Sequence, residues 1–275
     1  MGAVHSWEFR LRAPPTEGMP QKRATGARSR ARAPRWLDRV NTAGPVTRRD
    51  HRKYNASTMF HDDAEVLASA LEAMPLFPLP GVVLFPGALL PLHVFELRYR
   101  AMLADCMATN RCMAMALVAG DTDEIDLETE PAIAHIAGGG VVVRHTELAD
   151  GRSNIVLQGR VRLALEELPF VAPYRRARAR ILEDIETPVS AVDRMGLHAA
   201  AAAFAGASRK CDFVLPPGIS PGAAADHCAH MLVADPRARQ RTLEELDVAA
   251  RVRFVTAVLA EQMGLMKRES RGKPD

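Results

Sequence analysis

The 275-residue sequence predicts an α+β protein, a small β-barrel with one inserted helix followed by a C-terminal helical bundle. Three observations carry that expectation. Residues 76–100, LFPLPGVVLFPGALLPLHVFELRYR, are apolar runs of strand length cut by Pro78, Pro80, Gly81, Pro86, Gly87 and Pro91. Proline has a fixed φ and no N–H, so these positions belong at strand ends, edges or turns. Gly138, Gly139 and Gly140 sit inside a strand pattern and mark a bulge or sharp bend of the kind that closes a barrel. After about residue 186 the apolar spacing becomes wholly helical.

Taken in order, strands are expected at Leu76–Pro78, Val82–Phe85, Cys112–Val118, Ala132–Val143, Ser153–Leu165 and Tyr174–Leu182. The inserted helix places Phe95, Tyr99, Met102, Leu103 and Cys106 on one face, with Glu96 and Arg100 at i,i+4 spacing for an ion pair. Asp150-Gly151 between alternating runs is a hairpin signal, because such turns need φ > 0. Ser190 with Asp193 resembles a capping box ahead of an Ala-rich helix running to about Ser208. Cys211 to Ile219 reads as a loop. Ser220-Pro221 and Asp235-Pro236 are each a cap followed by proline at the first helical position. Asp247 caps a last helix with Val248, Val252, Val255, Leu259 and Met263 on one face, and Gly264 is placed to end it. The resulting divisions are an extension at 1–58, a barrel at 75–185, a helical part at 186–268 and a tail at 269–275.

Charge is unevenly spread. Residues 1–60 hold 13 Lys+Arg against 4 Asp+Glu, and the remainder 23 against 29. The Arg/Pro-rich extension 1–58 has no sustained periodicity and cannot bury enough apolar surface to offset its ordering entropy, so disorder is expected. Three further readings compete there: an Arg-mediated nucleic-acid contact through Arg28, Arg30, Arg32, Arg48, Arg49, Arg52 and Lys53, an organellar transit peptide, or a true start at Met59 or Met74. Cys106, Cys112, Cys211 and Cys228 fit no disulfide framework, which points to a reducing, cytoplasmic setting. No apolar run reaches the roughly 20 residues of a membrane span.

Familiar catalytic patterns are missing from the 275 residues. There is no G-x-x-x-x-G-K-[ST] phosphate loop and no G-x-S-x-G elbow, and the barrel region has Ser153 but no lysine for a Ser–Lys dyad. His227, Cys228 and His230 lack the i,i+4 spacing and the C-x-x-C partner of a zinc site. The run Asp121, Asp123, Glu124, Asp126, Glu128, Glu130 misses the glycine and final glutamate of a calcium loop. Cys106 and Cys112 have no nearby base and read as small buried hydrophobes. No enzyme, metal or cofactor is expected. The Pro-rich loop Phe85 to Phe95 is the remaining candidate for a working surface, as barrel core or as a partly exposed groove.

The stretch Leu79-Pro80-Gly81-Val82-Val83-Leu84-Phe85-Pro86-Gly87, then Leu90-Pro91-Leu92-His93-Val94-Phe95-Glu96 and Arg98-Tyr99, resembles the opening of the Lon protease N-terminal, substrate-binding domain in its free-standing bacterial form. Ala134-His135-Ile136, Asp150-Gly151-Arg152, Gly159-Arg160 and Pro173-Tyr174 follow in the family's order. Asp235-Pro236, Gln240, Leu243-Glu244, Asp247 and Arg251 resemble its helical end, so the likeness spans about residues 75 to 265. The chain departs from the family at Pro131-Ala132-Ile133 and at the triple glycine.

The resemblance implies a PUA-like barrel whose motif residues Pro80, Gly81, Phe85, Pro86, Pro91, Glu96, Arg98, Tyr99, Gly151 and Gly159 are structural. It also implies binding of unfolded or tagged polypeptides, as a substrate-recognition or adaptor module that works with a separate Lon protease. The ATPase and Ser–Lys peptidase domains of full-length Lon lie downstream of this region, so a peptidase label would be inherited in name only. Phe85, Leu89, Leu90 and Phe95 are the candidate peptide-binding residues, through an apolar loop or through strand addition to a barrel edge. RNA binding, by analogy with other PUA-like barrels, is the alternative; the acidic balance beyond residue 60 opposes it.

Overall fold

A computed structural model describes residues 67–118, 131–208 and 213–271. The extension 1–58, the acidic run 121–130, Cys211 and residues 272–275 lie outside the described residues. Six strands form one mixed sheet: β1 (Met74–Leu79), β2 (Leu89–Val94), β3 (Cys112–Leu117), β4 (Ile136–Glu147), β5 (Ser153–Glu167) and β6 (Arg176–Leu182). Helix α1 (Leu97–Ala108) lies between β2 and β3. Four helices follow the sheet: α2 (Ala191–Ala207), α3 (Pro221–Leu232), α4 (Pro236–Glu244) and α5 (Val248–Arg271).

The strand pairings run in a closed circuit, β5–β4–β3–β1–β6 and back to β5, with β1–β3 the parallel pair. One face of these strands supplies a small-residue core: Ala114 and Ala116 from β3, Ala137 from β4, Leu163 from β5, and Ala177 and Ala179 from β6. The alternate residues of β6, Arg178 and Arg180, are exposed, as the two-residue period of a strand requires. Strand β2 lies outside the circuit, antiparallel to residues 153–158 of β5.

Several sequence expectations change. Val82–Phe85 forms no ladder. It is an extended strap between Gly81 (φ +69°) and Gly87 (φ +80°), buried throughout. Its alternation is real: Val82 and Leu84 enter the core under α1, while Val83 and Phe85 enter the core of the helical part. Two glycines make room for it, since a Cβ on Gly138 would overlap the Leu84 carbonyl oxygen and one on Gly159 that of Phe85. The expected loop at 85–95 contains β2, with Pro91 inside it; an edge strand tolerates proline when its nitrogen points away from the ladder. The bulge at the triple glycine is present, as a register shift between Gly139 and Gly140. Strand β4 begins later than expected and runs to Glu147.

Glu96 pairs with Arg98 at 2.8 Å rather than with Arg100, because Glu96 is the cap residue and stands outside the helix. Gly264 does not stop α5. Met263 and Met266 pack on the helical core and carry the helix to Arg271, past the start of the expected tail. Ser190, Ser220 and Asp235 cap their helices as expected, and Asp247 accepts from the Ala250 N–H at 2.7 Å. The Asp150-Gly151 hairpin turn is also present, with Gly151 at φ +77°.

Sheet and helices are joined through buried ions. Arg162 of β5 donates to Asp226 of α3 at 2.6 Å and to the Leu243 carbonyl at 3.0 Å. Arg251 of α5 reaches Asp184 at 2.6 Å and Asp226 at 3.2 Å. Burial alone would lower the Arg251 pKa, but the two carboxylates outweigh it and raise it. Arg239 of α4 donates to the Gly81 carbonyl at 3.0 Å, fastening the strap from the helical side.

Candidate functional site

The strap places β2 and thereby builds an open edge of the sheet. Gly87 N–H donates to the Gly159 carbonyl and Gly159 N–H to the Ala88 carbonyl, both at 2.9 Å. That contact sets the phase of the antiparallel pair. The Ala88 carbonyl and the main-chain groups of 90, 92 and 94 turn toward β5, those of 89, 91 and 93 turn outward, and the Ala88 N–H donates to the Phe85 carbonyl at 3.1 Å. Among the described residues no other strand pairs with β2. Its outward edge offers N–H and C=O at Leu89 and His93, and C=O alone at Pro91.

The side chains alternate in the same phase. Leu90 and Leu92 are half-buried and Val94 is buried against the core under α1, whereas Leu89 (55% exposed), Pro91 and His93 face solvent. Across the ladder these three stand beside Gln158, Val156 and Asn154 of β5, and beyond them Val141, Arg144 and Thr146 of β4. His93 is fixed by Nδ1···Oδ1 of Asn154 at 2.7 Å and by stacking on Phe95, with ring centroids 6.0 Å apart. The result is a mixed strip, apolar at Leu89 and Pro91 and polar at His93, Gln158 and Asn154, with one open hydrogen-bonding edge.

The four candidate residues do not act as one group. Leu89 is exposed on the strip, Phe95 borders it half-buried, and Leu90 points inward. Phe85 is wholly buried in the helical core and takes no part in any surface, because the strap turns it away from solvent. The motif residues hold the strip in place. Pro80 and Gly81 open the strap, Pro86 and Gly87 close it, and Gly159 admits it. Arg98 lies over Tyr99 at 4.8 Å, and Tyr99 packs on Phe77 with centroids 4.4 Å apart. Gly151 leaves room for the Arg100 guanidinium.

The other candidates are structural. Burial pushes the thiols of Cys106 and Cys228 up to about 12 and that of Cys112 to about 11, so none is a ready nucleophile. His227 stacks on Phe213 at 5.5 Å, and Cys228 is enclosed in the helical core. Among the described residues no three His, Cys, Asp or Glu side chains gather as metal ligands, and no helix is long and apolar enough to cross a membrane. A cleft of about 50 Å³ lined by Arg194, Leu197, His198, Ile219, Pro221, Ala224 and Val252 has space for little more than water.

His230 titrates abnormally. Burial, reinforced by His227 and Arg239, depresses its pKa to about 4. Above pH 6.5 the site is neutral in both states and the shift has no effect on stability. As pH falls from about 6.5 to about 4 the unfolded chain takes up the proton first, so stability should decline by up to roughly 3 kcal/mol. Urea unfolding of His230→Gln across that range should lack this decline; an unchanged acid slope would refute the assignment.

Sequence reasoning offered strand addition to a barrel edge but did not place that edge at β2. It is a property of backbone phase, and a proline-rich stretch of six residues hides it. Two exposed apolar features also went unmarked: the turn residues Phe170 and Val171, and the outer side of α2.

Comparison with known proteins agrees with this architecture. Residues 73–261 match the family described as the ATP-dependent protease La (LON) substrate-binding domain. The chain is 28% identical over 203 residues to a Lon protease of Roseiflexus castenholzii, covering 71% of this chain and 25% of that protein. It is 29% identical over 215 residues to Lon protease 2 of Herpetosiphon aurantiacus, covering 74% and 26%. The chain thus spans about a quarter of the length of these curated relatives. Among solved structures, the Lon N-terminal domain protein from Xanthomonas campestris aligns with TM-score 0.51 at 21% identity, covering 67% of this chain and 97% of that one. The N-terminal domain of the Mycobacterium avium complex Lon protease aligns at 0.52 and 14% identity, covering 69% and 98%. At these identities the structural likeness speaks for the fold alone.

Proposed function

The chain belongs to the LON substrate-binding domain family, and from that premise we propose that it is a non-catalytic module binding extended polypeptide segments along the open edge of β2. The closed strand circuit is read here as the small barrel of that family, with α2–α5 as its helical bundle. The observation that carries the binding site is the outward phase of Leu89, Pro91 and His93 on an unpaired strand edge. An incoming strand gains main-chain hydrogen bonds at 89 and 93 and lays side chains beside the exposed Leu89 and Pro91. Backbone pairing ignores sequence, and the exposed Leu89 and Pro91 favour apolar neighbours, which suits clients that share no motif. Such a module serves as a substrate-recognition or adaptor unit, handing unfolded or tagged segments to a separate Lon protease in the cytoplasm.

RNA is the poorer ligand. Three of the four arginines at 175–180 already face carboxylates: Arg178 with Glu72 and Glu166, Arg175 with Glu167, and Arg176 with Asp105. A row of cations neutralised in this way has little left for phosphates.

The test compares binding of a fluorescently labelled, reduced and carboxymethylated protein, its native form, and a single-stranded RNA. Unfolded protein alone should bind. Leu89→Asp should weaken it at least tenfold, by replacing the exposed apolar side chain at the edge with a charge. His93→Pro removes one outward donor, a loss of about 1 kcal/mol or roughly fivefold in affinity, while leaving the β2–β5 ladder intact. Binding of RNA only, or wild-type affinity in both folded variants, would overturn the proposal.

A further inference from the structure

The outer side of α2 is apolar where a surface helix should be polar. Leu197, Ala201, Phe204 and Ala205 face the core. Directly opposite, at spacings of three and four, stand Val192, Met195, Ala199, Ala202 and Gly206, all exposed. Val192 is 79% exposed and Met195 72%, among the most exposed large apolar side chains described. The helix's only polar residues, Asp193, Arg194 and His198, lie along its flanks, so no charge interrupts this face over four turns. A helix apolar on both sides belongs inside something.

We propose that this face pairs with the same face of a second copy, the two α2 helices running antiparallel about a two-fold axis at Ala199. The size pattern selects that partner. Large side chains occupy the N-terminal half of the seam and small ones the C-terminal half. The antiparallel arrangement therefore sets Val192 against Gly206 of the second copy and Met195 against its Ala202, with the two Ala199 residues meeting on the axis. A parallel pair would crowd the large residues together at one end and leave a gap at the other. Charge agrees as well: antiparallel helices place each positive N-terminus beside a negative C-terminus, and no like charges oppose each other across the seam.

The spacing is that of a coiled-coil seam, and small residues at its centre allow close approach. A 17-residue helix is about 25 Å long. Such a seam covers on the order of 400 Å² per copy, about half of a standard interface, so the dimer is weak and concentration-dependent. It uses no residue of β2.

Sedimentation velocity of the full chain over a hundredfold concentration range tests this. A monomer–dimer equilibrium is expected, weakened at least tenfold in Met195→Lys, with circular dichroism unchanged. In a Cys211→Ser background, Ala199→Cys should form a disulfide-linked dimer under mild oxidation much faster than Val192→Cys, since only residues on the axis meet their own counterparts. A chain monomeric at all concentrations overturns the proposal, and so does a dimer indifferent to Met195→Lys. Equal cross-linking at both positions overturns the antiparallel register. Photo-cross-links from a benzophenone maleimide attached to the same Ala199→Cys variant that land in residues 1–66 of the same chain would mean that the chain covers this face itself, and would also overturn it.

Discussion

Asp226→Asn should destabilise the folded protein by about 3–5 kcal/mol, a large share of the stability of an ordinary domain. The reason is arithmetic of charge in a dry place. Asp226 is buried between Arg162 and Arg251, which are also buried, and it supplies the closest carboxylate oxygen to Arg162. Without it two guanidinium groups share only Asp184, which is itself partly exposed. The asparagine keeps the volume and one acceptor, so packing hardly changes and the loss isolates the charge. Urea titration at pH 7 measures it, with Arg180→Ala on the exposed face of β6 as a control expected within about 0.5 kcal/mol of the parent. A loss below about 1 kcal/mol for Asp226→Asn would show that the network is not what joins sheet to helices.

Gly159→Ala should be comparably severe, and Gly264→Ala should go the other way. At Gly159 the added Cβ would overlap the Phe85 carbonyl oxygen, which is backbone and held by the strap's bonds to Gly159 itself. Relief requires moving the strap, and with it Val83 and Phe85 in the helical core and Leu84 in the core under α1. Overpacking of this kind costs about 3 kcal/mol or more, so the variant is expected to unfold at distinctly lower urea or not to fold. At Gly264 a Cβ meets nothing within 4 Å, and the residue lies in the interior of α5. Alanine there should stabilise by about 0.5–1 kcal/mol, because it gives up less backbone freedom on folding. The same substitution with opposite signs separates close approach from helix propensity; equal effects at the two sites would refute both explanations.

Which parts were legible in the sequence follows from range. Helix starts depend on two or three neighbouring residues, so Ser190, Ser220-Pro221 and Asp235-Pro236 announced themselves, as did the Asp150-Gly151 turn. Long alternating strands such as β5 did too. Val82–Phe85 has the period of a strand and was read as one, yet what separates strap from strand is whether a ladder partner exists, and that depends on residues 138 and 159. Gly264 carries a real stop signal, overridden by Met263 and Met266 packing on helices that no local window contains. At the candidate site, Leu89 and Phe95 were visible as apolar residues, but only the register against β5 shows that Leu89 faces out, Leu90 faces in and Phe85 is not at the surface.

The strap and its fastenings also bear on how the chain leaves the ribosome. Gly81 waits for Arg239, 158 residues later, and Arg162 waits for Asp226 and Leu243. β1 meets β6 only after residue 177 has been made, closing the circuit from its far end. The two cores on the strand side draw on residues 67–181 alone and can close once β6 is made, whereas the Val83 and Phe85 side of the strap waits for the helices. Until those helices emerge, the nascent chain exposes the apolar side of the strap that they cover, a surface for chaperones to hold before the protein can serve any client of its own.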